Sequence, residues 1–320
     1  MTTPAILLIQ LALPLILLTG LVLFPAASRV GYTLQALGTA LFLFAHARIV
    51  MWIVLPWWLP WAYGAIWALA VAVHVIRRNL GRAPMWPTRI SGWTGLVFAL
   101  LLIATSSWYG RLAVIGGALP PLEVVDMPIP LGPGRYIVAH GGSHLLINGH
   151  MMTLDPAIER FRNWRGQSYA LDLVAVDRFG RHSDGWQPED PARYAIFGKR
   201  VHAPCAGEVI GVENSRRDMP VPEMDRINLL GNHVLLRCEE AVLLLAHLRQ
   251  GSVRVELGQR VEPGVLLGEV GNSGNSAEPH LHLHAQRPGG RAAPIAGEPL
   301  ALRVEGRYLR RNDRITGRDW

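Results

Sequence analysis

The chain has 320 residues, half of them hydrophobic, with a mean hydropathy of +0.21 and only 17% charged side chains. That is too apolar for an ordinary soluble protein and too long for one small domain. The formal charge of +7 invites a nucleic-acid reading, but residues 1–122 carry seven arginines and no acid, while basic and acidic side chains balance over the rest. A positive excess confined to the apolar part orients a membrane protein and does not serve to neutralise phosphates.

Pro4 to Phe24 is a run of 21 residues without a charge, enough to cross a hydrocarbon core about 30 Å thick. Met1-Thr2-Thr3-Pro4 lacks a basic n-region, and the run exceeds the usual h-region, so it reads as a retained helix and not a cleaved signal. A second apolar stretch, Tyr32 to Ile76, is long enough for two crossings. It is divided at Leu55-Pro56-Trp57-Trp58-Leu59-Pro60-Trp61, where two prolines and interfacial tryptophans predict a tight hairpin. A fourth span, the shortest, is expected from Ile90 to Trp108. The pattern thus predicts an α-helical transmembrane bundle over 1–117, with helices at about 4–24, 32–55, 57–76 and 90–108. Arg77, Arg78, Arg82 and Arg89 put the loop between the third and fourth spans in the cytoplasm. Both termini, and everything after about Tyr109, are then expected on the extracytoplasmic side of the cytoplasmic (inner) membrane. His46 and Arg48 fall inside the second span, which is a functional hint by default; the plainer reading is that Arg48 snorkels or pairs within the bundle.

Residues 118–134 are proline-rich, lack a helical period and read as a linker. From 135 to 320 short β-rich runs alternate with glycine and polar turns: Arg135–Ala139, Tyr169–Val176, Gly207–Val212, His233–Cys238, Ala241–Ala246 and Pro279–Ala285. That pattern predicts a mainly-β domain. Two irregular stretches, 178–200 and 213–231, are of the length that often flanks a site. Cys205 and Cys238 are the only cysteines and show no metal-site spacing. If the strands beside them pair antiparallel, the two sit at one end and can bridge in an oxidising compartment.

The strongest chemical signal is Glu278-Pro279-His280-Leu281-His282-Leu283-His284-Ala285. On a strand, its three histidines share one face while Leu281 and Leu283 take the other. Three imidazoles on one face pack poorly and suit metal or proton-transfer chemistry. The preceding Gly271-Asn272-Ser273-Gly274-Asn275-Ser276 supplies the flexible backbone of a site-lining turn.

With Gly258-Gln259-Arg260-Val261, Gly264, Leu267-Gly268, Leu245-Ala246-His247-Leu248 and Val201-His202-Ala203-Pro204-Cys205-Ala206-Gly207-Glu208-Val209, this run resembles the lysostaphin-type zinc metallopeptidases, over about 165–287. The resemblance implies a lysostaphin-like (duplicated hybrid motif) β-sheet sandwich and a Zn2+ cofactor. It also implies a peptidoglycan peptide as substrate, with His282 and Asp172 as zinc ligands and His247 and His280 beside the reacting water and carbonyl. His280 is assigned to proton transfer and His247 to the oxyanion, although sequence does not separate the two roles.

The family's HxxxD motif fails at its first position, which is Ser168. A catalytic zinc wants three protein ligands and one open position, so the site is one ligand short. His150, His144 and His284 are the candidates to fill it, with loss of the metal the other possibility. His150 is favoured because Asn148-Gly149-His150 lies just upstream of the Asp172 strand. The expected protein is a membrane-anchored zinc metalloendopeptidase acting on cell-wall peptidoglycan, with the lipid bilayer as its other partner and no nucleic acid. The alternatives are a catalytically degenerate module that binds or activates wall enzymes, and a working membrane bundle with the β-domain as its sensor.

Overall fold

The computed structural model describes residues 3–78, 82–155, 157–239, 241–290 and 293–320. Met1, Thr2 and residues 79–81 of the arginine-bearing loop lie outside them. The chain divides into two compact units, Met1–Val50 with Trp57–Val114, and Met51–Pro56 with Ile115–Trp320.

The first unit holds four helices long and apolar enough to cross a membrane: α1 (Pro4–Leu23), α2 (Arg29–Ile49), α3 (Leu59–Arg78) and α4 (Ile90–Ile115). Their ends differ from the hydropathy reading for local reasons. Helix α2 begins before Tyr32 because Ser28 caps it, its Oγ accepting the Gly31 N–H, which satisfies one of the open donors of a first turn. It also stops at Ile49 and not at 55. Of the two prolines in the expected hairpin, Pro56 lies in the connection, whereas Pro60 sits in the first turn of α3, where a missing N–H costs nothing. Helix α4 is not the shortest span: at 26 residues it is the longest of the four, since no proline or glycine pair follows Trp108 until Gly116-Gly117. Glycines carry its packing, with Gly38 of α2 facing Ala99 of α4 and Gly110 of α4 facing Ala45 of α2; small residues let helix backbones approach closely.

A π turn at Leu7–Ala12 shifts the hydrogen-bond ladder of α1. There the Ile9 carbonyl accepts from His46 Nε2 and the Gln10 carbonyl from Tyr63 Oη, both at 2.8 Å. His46 is therefore a tie between helices, and Arg48 lies 5.7 Å over the Phe44 ring.

The second unit is built from β1 (Val124–Met127), β2 (Arg135–His140), β3 (Leu171–Val176), β4 (Arg200–His202), β5 (Gly207–Glu213), β6 (Asn232–Cys238), β7 (Ala241–Leu248), β8 (Arg260–Val261), β9 (Leu266–Glu269), β10 (Leu281–Gln286), β11 (Pro299–Val304), β12 (Arg307–Tyr308) and β13 (Arg314–Thr316). One sheet runs β13-β2-β3-β10-β7-β6-β5-β8, with β11 joined to β10 and carrying β1 and β12; β4 and β9 form a separate ribbon. The stretch expected as an irregular linker contains β1, which pairs parallel with β11. A partner so distant in sequence leaves no mark on local composition.

Side chains alternate along the central strands as the pleat requires. Leu171, Leu173, Leu281 and Leu283 join the main core with Val201 of β4 and Leu267 of β9. The expected sandwich is thus uneven, eleven strands packed against a two-stranded ribbon. Leu281 and Leu283 are fully buried, contributing about 1.5–3 kcal/mol each. The opposite face of the sheet carries Asp172, His282, His284 and Gln286. Strand β7 is apolar on both faces, with Leu243 and Leu245 in the main core and Val242 and Leu244 in a second cluster with Ile295. Strands β5 and β6 form the antiparallel hairpin that brings Cys205 and Cys238 to one end, where they are joined as a disulfide with Cα atoms 6.1 Å apart.

Candidate metal centre

Register builds the site. Asp172 on β3 lies opposite His140 on β2 and opposite His282 on β10, and directly opposed side chains on one face have Cβ atoms about 4.5–5.5 Å apart. On its other side His282 faces Ala246 of β7, whose small side chain leaves room above the sheet. The Asp172 carboxylate is the centre of the cluster and only 6% exposed. Its Oδ1 lies 3.0 Å from His282 Nδ1 and 3.6 Å from His280 Nε2, while Oδ2 lies 3.6 Å from His150 Nε2. His150, Asp172 and His282 offer ligand atoms all within 4.8 Å of one another, and so do His247, His280 and His282.

Burial alone would raise the Asp172 pKa, but the surrounding His150, His280 and His282 outweigh it and hold the carboxyl well below the usual range. Burial pushes His150 down to about 3 in spite of Asp172, and drives His247 well below its ordinary value. The cluster is an ionised carboxylate surrounded by imidazoles, two of which burial keeps neutral. Two imidazoles and one carboxylate are a ligand set suited to a catalytic zinc, with the fourth position open.

Outer hydrogen bonds decide which ring nitrogens face inward. Asn148 is fully buried, and its Nδ2 donates to the carbonyls of Gly142 and Ala170 at 2.9 and 3.1 Å. Its Oδ1 must then be the acceptor, and it takes the His150 backbone N–H and the His150 Nδ1–H, the latter at 3.0 Å. That leaves His150 Nε2 with its lone pair, on the side of Asp172. His280 Nδ1 donates to Glu278 O at 2.8 Å and His247 Nδ1 to Ser273 O at 2.9 Å, so these rings also offer Nε2 lone pairs. His247 sits at φ +62°, a conformation that bulky residues rarely adopt and that recurs at functional positions.

Ser168 is fully buried and holds the neighbouring turn together. Its Oγ lies 2.6 Å from Arg165 O and 2.8 Å from Thr153 Oγ1, and Thr153 donates to His150 O. Of the three candidates for the ligand vacancy, His150 reaches Asp172. His284 stands behind His282, its Nδ1 3.0 Å from His282 Nε2, and His144 Nδ1 accepts the Leu146 N–H within its own turn.

Sequence reasoning passed over His140, Asn148 and Arg311. His140 Nδ1 accepts from the Gly149 N–H at 3.0 Å and from Arg311 Nη2 at 3.2 Å. Its proton is therefore on Nε2, and burial pushes its pKa down to about 4. Its neutral form thus carries a donor at Nε2. Arg311 also donates to the carbonyls of Ala139 and Leu146. No motif links these residues; the β2–β3 register brings His140 to Asp172, and Asn148 and Arg311 join through their hydrogen bonds to His150 and His140.

Residues 193–294 match Peptidase family M23. That segment includes His247, His280, His282 and His284, and begins downstream of His150 and Asp172, which it does not cover. A putative M23 peptidase from Pseudomonas aeruginosa is 17% identical over 57% of this chain and 53% of its own, with a TM-score of 0.27. Lysostaphin from Staphylococcus simulans is 17% identical over 43% and 48%, TM-score 0.25, and a zinc-containing peptidase from Vibrio cholerae 18% over 36% and 46%, TM-score 0.23. The chain thus spans about half the length of these proteins. No curated protein matches it.

Proposed function

We propose that the second unit is a zinc metalloendopeptidase that hydrolyses peptide bonds in peptidoglycan, and that the apolar helices anchor it in the cytoplasmic membrane with the β-domain outside. The observation that carries this reading is the convergence of His150 Nε2, an Asp172 oxygen and a His282 nitrogen, beside two further histidines, in a unit that contains an M23 segment. His150, Asp172 and His282 would hold the zinc, which when bound acidifies a water and polarises a carbonyl as a Lewis acid.

The remaining chemistry belongs to the chain. His280 presents an Nε2 lone pair 3.6 Å from Asp172 Oδ1. As that ring takes a proton from the attacking water, the carboxylate stabilises the resulting imidazolium, and the proton is then delivered to the leaving amine. His247 also shows a lone pair at Nε2, so it stabilises an oxyanion only when protonated. His140 differs, because its neutral ring already has the N–H that an oxyanion needs. The disulfide supports an extracytoplasmic setting, since such bonds persist in oxidising compartments. So does the arginine-bearing loop.

The test is digestion of purified peptidoglycan by the detergent-solubilised full chain. New free amino groups should appear, disappear with a chelator and return with zinc. Wild-type cleavage that survives chelation, or none with zinc restored, refutes the reading.

A further inference from the structure

His284 is fully buried on the same face of β10 as His282, outside both groups of potential ligands. Its Nδ1 contacts His282 Nε2, but its own Nε2 has no hydrogen-bond partner, and Gln286 Oε1, next along that face, has none either. Gln286 Nε2 donates to Pro294 O at 2.6 Å, which assigns the amide and leaves the oxygen as the end in want of a donor. The position of that oxygen depends on Gly166, because a Cβ there would lie 1.7 Å from it. Each buried polar atom left unpaired costs on the order of 1–3 kcal/mol, so two neighbouring ones call for an explanation.

Proton counting supplies it. A neutral imidazole has one N–H and one lone pair. If His282 carries its proton on Nδ1, its Nε2 accepts, His284 must donate from Nδ1, and His284 Nε2 is a lone pair beside a second acceptor. Both orphans then stay unsatisfied. If His282 carries its proton on Nε2, it donates to His284 Nδ1, the His284 proton lies on Nε2, and the Gln286 oxygen has a donor. Of the two neutral forms of His282, this second one answers both orphans. It also leaves His282 Nδ1, 3.0 Å from Asp172 Oδ1, with a free lone pair.

We propose that His284, backed by Gln286, is a positioning residue that holds the His282 proton on Nε2, so that Nδ1 is the nitrogen offered to a metal. Ligating histidines are commonly oriented by a hydrogen bond from the other ring nitrogen, and here a second buried histidine supplies the acceptor. The inference rests on the zinc reading above.

The test compares zinc dissociation constants, by competition with a chromophoric chelator, for the full-length protein and three variants. His284→Leu removes the acceptor at similar volume and should weaken binding about 10–100-fold, while His284→Asn, whose Oδ1 replaces Nδ1, should stay within about 3-fold of wild type. The metal-free Tm of His284→Leu should fall, because the variant leaves the His282 Nε2–H and the Gln286 oxygen without partners; zinc affinity lost in proportion to Tm across both the Leu and the Asn variants would indicate packing and overturn the proposal. Equal zinc affinity of His284→Leu and wild type would also overturn it, as would equal losses for the Asn and Leu variants. Should His284→Leu fail to fold, Gln286→Met carries the test: it should weaken zinc by a few-fold, and unchanged affinity counts against the relay. If the wild-type chain binds no zinc, the functional reading falls as well, whereas normal wild-type binding with an indifferent position 284 removes only this proposal.

Discussion

Replacing His150 by alanine removes one of the three proposed ligands while leaving the sheet intact, because His150 lies in a turn and Asn148 still accepts the backbone N–H of residue 150. Zinc bound by four protein ligands is worth roughly 10–16 kcal/mol near neutral pH. Divided evenly, that is about 2.5–4 kcal/mol per ligand, or roughly two to three decades in dissociation constant. The loss is not offset from position 168, since the buried Ser168 hydroxyl is engaged by Arg165 O and Thr153 Oγ1. Competition with a chromophoric chelator on the purified full chain measures the change, and release of amino groups from peptidoglycan should fall in step. A His150→Ala protein with wild-type zinc affinity would refute the ligand assignment, and full cleavage without zinc would refute the chemistry.

Ser168→His should not restore the site: an imidazole in that fully buried position costs about 1–3 kcal/mol by overpacking, and the double variant with His150→Ala should remain zinc-poor. Tight zinc binding by the double variant would mean that position 168 faces the metal. Burial lowers His140 to about 4 and His150 to about 3, so each contributes stability that is complete above the unfolded value of about 6.5 and is lost as pH falls toward its folded pKa. Metal-free Tm should therefore decline from pH 6.5 to 5, by up to about 1.4 kcal/mol per group per pH unit in free-energy terms; a flat profile contradicts the buried neutral rings. Joint replacement of Cys205 and Cys238 by alanine opens a loop with a sequence separation of 33 and should cost about 3–4 kcal/mol in denaturant unfolding, while unfolded, unreduced wild type should titrate no thiols. A reporter active only in the cytoplasm, fused after Trp320, should stay silent, and activity would reverse the orientation.

The parts of this molecule that could be read from its sequence are those fixed by local pattern. Four apolar runs became four helices, and alternation in Leu281-His282-Leu283-His284 separated core from site, because both depend on periods of a few residues. Helix ends were less legible. Ser28 and Pro60 act through single hydrogen bonds or their absence, which hydropathy does not weigh. Strand β1 was hidden because its partner is β11. The candidate site was legible where it is a motif, in His247, His280 and His282, and His150, which the fold brings to the same cluster, was reachable by asking what fills a vacancy. His140, Arg311 and the Asn148 amide were not, since their roles exist only once register places them around Asp172. Ser168 looks like a loss in sequence. In three dimensions it supports, through Thr153, the turn that carries His150.

Zinc-edge X-ray absorption on the loaded full-length chain tests the central claim most directly. The account predicts one zinc with two imidazole nitrogens at about 2.0–2.1 Å, a carboxylate oxygen and one further light ligand. The same spectrum from His150→Ala should show a single imidazole. A wild-type spectrum with one imidazole, or an all-oxygen six-coordinate shell, would contradict it.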